Sequence, residues 1–201
     1  MKKFKNGVFL ARMQPLHIAH IFLTEEALKE CEQVYICLGS ANKKDMIRNP
    51  FTVEFRKEML IGTLVDMGYS QDIGDRIHVF ELPDWSYEND TNDTISWGRY
   101  FYYNMVSRLE AKHFAMYYSD NSDIINGWFD SEVKDRITLR LYDRTKTYEG
   151  LSATRIREAI INHDRDYLER FMPAYVLKHL APIRDHYLSV LQAPEGDFSM
   201  Q

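Results

Sequence analysis

The stretch ARMQPLHIAH, residues 11–20, follows the short apolar run VFLA and sets two histidines three apart just past a proline. An apolar run, then a proline, then an amphipathic pattern predicts the end of a strand, a tight turn and a helix starting near Leu16. Positions three apart share a helix face, so His17 and His20 stand together. They stand at a helix N-terminus, where unpaired backbone N–H groups favour anions. With Arg12 just upstream, the set reads as a phosphate cradle. It also reads as two half-exposed histidines beside a turn. A metal site is a third reading, and it lacks a nearby Cys or a third carboxylate ligand at fixed spacing.

Four further runs resemble the first in character. GVFLA (7–11) is followed by VYICLG (34–39), RIHVFEL (76–82), HFAMYYS (113–119) and ITLRLY (137–142). VYICLG is apolar almost without alternation, as expected of a strand covered on both faces. Between the runs lie helical patterns: Leu23, Ala27 and Cys31; Phe55, Met59, Leu60 and Leu64; Trp97, Phe101, Met105 and Leu109. Alternating strands and helices predict an α/β fold, a doubly wound parallel sheet of five strands. Such sheets bind ligands beyond the carboxyl ends of their strands, at the switch point beside the first. That rule gathers RMQPLHIAH, GSANKK, LPDWSYEND and SDNSD around one crevice. After residue 150 the pattern is helical throughout. We expect a core over 1–150, a C-terminal helical segment over 151–192 in the same domain, and a loose tail over 193–201.

Of the 201 residues, 45% are hydrophobic and 27% charged, which suits one compact domain. A net charge of −5 without basic runs gives no broad face for duplex nucleic acid. It leaves room for a basic pocket. Cys31, expected in a helix, and Cys37, expected in a strand, have neither zinc-ligand spacing nor the numbers of a disulfide framework. The apolar run near the N-terminus is too short for a signal peptide, and nothing approaches a membrane span. The expectation is a cytoplasmic protein.

The second informative stretch is EGLSATRIRE, residues 149–158. A serine and a threonine two apart precede a strongly helical run, so at least one hydroxyl can cap the helix. Alternatively Ser152, Thr154 and the helix N–H groups hold a phosphate, with Arg157 one turn in. Lys43, Lys44 and Arg48 follow the second strand; they are either a solvated loop or added positive charge at the same crevice.

Together, RMQPLHIAH and LSATRIRE resemble the paired signatures of the nucleotidylyltransferase superfamily, H-x-G-H and I-S-x-T-x-x-R/K. SANKKDMIRNPFTVEFRKEML, YYSDNSDII and FMPAYVLKHL resemble segments of NMN adenylyltransferases of the archaeal type and of the type fused to a Nudix domain. No Nudix signature is present in this sequence. The resemblance runs to about residue 180 and implies a Rossmann-like sheet of order 3-2-1-4-5. It implies attack by the NMN phosphate on the α-phosphorus of ATP, giving NAD+ and pyrophosphate. By the same resemblance His17, His20 and Arg12 are catalytic, and Ser152, Thr154, Arg157 and Arg48 bind the ATP phosphates. Trp97, Asn121 and Gln14 meet NMN, with Trp85 as a rival stacking residue. Mg2+ rides on the substrate phosphates rather than on protein ligands. Relatives often form homo-oligomers; neither nucleic acid nor membrane is implied as a partner.

Two positions depart from the pattern. Ala19 stands where H-x-G-H has glycine, and Ala11 where a glycine usually opens the turn. A methyl at residue 19 is expected to narrow the adenosine seat. Alternatives are the same fold acting on nicotinate mononucleotide, phosphopantetheine or FMN, and a module that senses ATP or NAD without turnover.

Overall fold

Five parallel strands form one sheet in a computed structural model that describes residues 1–84, 94–119, 125 and 127–193. The strands are β1 (Phe4–Ala11), β2 (Cys31–Leu38), β3 (Ile77–Glu81), β4 (Phe114–Tyr118) and β5 (Ile137–Leu141), in the order β3-β2-β1-β4-β5. That is the order the resemblance implied. β1 is longer than its apolar run, because Phe4 already pairs with Cys31 and Asn6 with Gln33. Cys31 therefore opens β2 rather than closing a helix. Helix α1 (Ile18–Glu30) passes into β2 without a linking residue. Its four-residue spacing from Ala27 is shared by a buried strand start, so periodicity alone misassigns it.

Neighbouring strand residues face opposite ways, and here both faces are covered. Phe9, Ile36 and Tyr117 join one apolar cluster with residues of α1, α2 (Val53–Asp66) and the C-terminal helices. Val8, Cys37 and Met116 join another with Phe101, Tyr102 and Met105 of α3 (Thr94–Leu109). This two-sided burial is why VYICLG shows no alternation. The helices α4 (Ser131–Lys134) and α5 (Arg144–Thr147) flank β5.

The C-terminal segment comprises α6 (Ala153–Asn162), α7 (Arg165–Phe171), α8 (Ala174–Lys178) and α9 (Leu180–Gln192). Ile156, Leu168, Phe171, Val176 and Ile183 belong to the same cluster as Phe9 and Ile36, so these helices share the core of the sheet. Gly62 of α2 makes room for Tyr175 of α8: a Cβ there would meet the tyrosine ring at 2.2 Å. Residues 194–201, most of the expected tail, lie outside the described residues. So do residues 85–93, which carry Trp85. Among the described residues no helix is long and apolar enough to cross a membrane.

Candidate active site

A cavity of about 660 Å3 opens at the carboxyl edge of the sheet, where β1, β2 and β4 end. Its wall includes Arg12, Gln14, His17, His20, Arg48, Trp97, Thr154 and Arg157. Residues from 12 to 157 meet here because the parallel topology brings every strand's carboxyl end to one side.

His17 is the N-cap of α1, with extended backbone. Its own N–H donates to Nδ1 of His20 at 3.2 Å, and the two rings stack with centroids 3.7 Å apart. His20 thus occupies the third helical position, where a capping box usually carries Glu or Gln. The pairing aligns both imidazoles at the anion-favouring end of α1. Arg12 and Arg48 are exposed at the cavity wall, and neither forms an ion pair among the described residues. Asp84 is the one carboxylate lining the described cavity, and it is held by Lys43 at 2.9 Å and by the Ser40 hydroxyl at 3.2 Å. The cavity is therefore basic although the chain is acidic.

The second motif enters through α6. Ser152 is its N-cap, and its hydroxyl accepts the Arg155 N–H at 3.0 Å. Ser152 does not line the cavity; Thr154 and Arg157 do. Arg157 is buried. It donates from Nη1 to the Gln14 carbonyl at 2.7 Å and from Nη2 to the Thr154 hydroxyl at 3.3 Å, while its Nε is buried without a partner. One guanidinium thus ties the two motifs together and keeps an unspent N–H.

Gln14 lines the wall, but both ends of its side-chain amide are engaged by the backbone of Phe51, each at 2.9 Å. Its side chain clamps the segment after β2 onto the β1 turn, spending one amide N–H and one carbonyl lone pair on Phe51. Ala19 differs from expectation. It is 1% exposed, belongs to the core and does not line the cavity. Its methyl faces protein, so it does not narrow a nucleotide seat. Asn121 lies outside the described residues.

Trp97, also in the wall, stacks on Phe101 at 5.7 Å and meets Trp128 at 4.9 Å. Trp128 also lines the cavity and went unnoticed in the sequence, where GWFD carries no periodic signal. Gly98 permits the approach: a Cβ there would lie 1.7 Å from the Trp128 carbonyl oxygen. Arg56 was also missed. It is 1% exposed and donates to the carbonyls of Arg12, Gly39, Ser40 and Thr52 at 2.6–3.3 Å. Burial lowers its pKa to about 10, so it stays charged at neutral pH. Its place between Phe55 and Met59, on the buried side of α2, was the available signal.

The sequence profile of cytidylyltransferase-like proteins matches residues 8–159. The chain belongs to the cytidylyltransferase-like family. A nicotinamide-nucleotide adenylyltransferase of Thermococcus onnurineus is 28% identical over 180 residues, 90% of this chain and 84% of that protein. One from Pyrococcus furiosus is 39% identical over 80 residues, 40% of this chain and 42% of that protein. Among solved structures, a bifunctional NMN adenylyltransferase/ADP-ribose pyrophosphatase of Francisella tularensis, complexed with AMP and a manganese ion, superposes with a TM-score of 0.70 at 21% identity. The match covers 93% of this chain and 52% of that one, so the chain spans about half that protein's length. At that identity the likeness carries the family's fold, including its strand order.

Proposed function

We propose that this protein is a nicotinamide-nucleotide adenylyltransferase, forming NAD+ and pyrophosphate from NMN and ATP. The observation that carries the reading is the convergence of both motif ends on one basic cavity, joined through Arg157 and also lined by Trp97 and Trp128. The names of the full-length relatives supply the reaction.

An oxygen of the NMN phosphate attacks the α-phosphorus of ATP. The new P–O bond forms as the α–β bridging bond breaks, and its electron pair leaves with pyrophosphate. The protein's part is positioning and positive charge where phosphoryl oxygens crowd. His17 and His20 meet the reacting phosphate from the N-terminus of α1, with Arg12 and Arg48 along the triphosphate. Thr154 and the Arg157 guanidinium hold the departing pyrophosphate, and Ser152 contributes by capping α6. Trp97, with Trp128 beside it, offers a flat face to the nicotinamide ring. Gln14 acts by fixing the loop that carries Arg48.

Mg2+ neutralises charge on the phosphates when bound. The described residues hold no group of three His, Cys, Asp or Glu that could cage a metal, and Asp84 is taken by Lys43. A divalent ion would be held on the ATP phosphates, keeping several waters. Ala19, buried in the core, lends no support to a sensing module without turnover.

The test is pyrophosphate release with ATP, Mg2+ and NMN, run beside nicotinate mononucleotide, phosphopantetheine and FMN. Release with NMN and matching NAD+ formation is the expected result. Release with a different acceptor alone overturns the nicotinamide assignment, and silence with all four overturns the reaction.

A further inference from the structure

A second cavity, of about 560 Å3, lies among the C-terminal helices and shares no lining residue with the first. Its size is that of a small-molecule site. Its apolar wall comes from several helices, with Ile160 of α6, Leu168 of α7 and Leu177 of α8. Its charged lining is Arg165, Lys178 and Arg184 against a single carboxylate, Glu169. Two of the three cations are already satisfied. Arg165 pairs with Glu169 at 2.6 Å, and Lys178 reaches Asp66 at 3.1 Å.

Arg184 is different. Among the described residues it forms no ion pair, and its Nε is closed off from solvent with no hydrogen-bond partner. A guanidinium N–H in that state has lost water and gained nothing, which native proteins rarely leave unanswered. The residue as a whole is only half-buried, so the rest of its guanidinium stays open to a ligand, and a planar fork without an ion-pair partner matches a carboxylate. A polyphosphate would bring more charge than a single unpaired cation balances.

We propose that this cavity is a second binding site, taking an apolar carboxylate whose charged end meets Arg184 and whose body lies against Ile160, Leu168 and Leu177. The site does not depend on the reaction assigned to the first cavity.

Calorimetric titration of the full chain with octanoate, beside uncharged octanamide, tests this. The expected result is saturable 1:1 binding of octanoate, with octanamide at least tenfold weaker. Arg184→Met keeps the apolar stem, removes the unsatisfied donor and should lower octanoate affinity at least tenfold with an unchanged melting temperature. Leu177→Trp should block binding by filling the cavity from another wall, so the assignment does not hang on one variant. Equal affinity for octanoate and octanamide overturns the proposal. So does octanoate binding that survives both substitutions, or no saturable binding at millimolar octanoate.

Discussion

The two stacked imidazoles of His17 and His20 share one helix end, but only the His20 ring accepts the His17 backbone N–H, so their contributions are not interchangeable. His20→Ala removes a phosphate donor and the acceptor for the His17 N–H together. It should lower kcat on the order of 10²–10³-fold, and cost about 1 kcal/mol of stability as a lost cap; steady-state kinetics and thermal melting separate the two. Trp97→Ala should raise KM for NMN on the order of tenfold, about 1.4 kcal/mol, with KM for ATP little changed. Because Trp97 packs on Phe101 and Trp128, Trp97→Phe is the control: recovery of KM with that ring marks stacking on substrate rather than filling of space. At this scale the sequence was readable where side chains reach a cavity wall at fixed spacing, as with His17, His20 and Arg157. It was unreadable where side chains serve backbone. Nothing in Gln14 announces that its amide clamps Phe51, and a lone arginine such as Arg56 in an amphipathic helix reads as solvent-facing until its four carbonyl partners are seen.

Helix α1 shows how an element tolerates a departure from its family's pattern. The motif glycine is replaced by Ala19, whose methyl enters the core rather than the cavity. Alanine is the better helix former, so Ala19→Gly should cost about 1 kcal/mol while leaving KM for ATP unchanged; chemical denaturation and kinetics read the two outcomes. The apolar runs located all five strands, most clearly the central β1, β2 and β4, whose burial on both faces writes near-continuous hydrophobicity into the chain. The boundary between α1 and β2 was not legible. With no loop between them, the buried spacing of the helix continues into Cys31 without a punctuating residue. Trp128 was hidden for the opposite reason, since its surroundings are too short to show any period.

The described C-terminal helices share the core of the sheet. Tyr167, Leu168, Phe171, Val176, Ile183 and Tyr187 are all buried in the cluster that includes Phe9 and Ile36 of the sheet. Burying each such side chain is worth about 1.5–3 kcal/mol, and a domain's whole stability is about 5–15 kcal/mol. Deleting residues 164–201 should therefore abolish cooperative unfolding rather than leave a stable core, as circular dichroism melts would report. The bond from Arg157 to the Gln14 carbonyl spans 143 residues of sequence. A chain emerging from the ribosome can form the turn that carries His17 and His20 early and brace it with Phe51 and Arg56, yet the Gln14 carbonyl waits for its partner until residue 157 has been made and docked. The newborn protein thus completes the wall of its basic cavity late, and an unfinished copy holds the two histidines without the arginine that ties the second motif to the first.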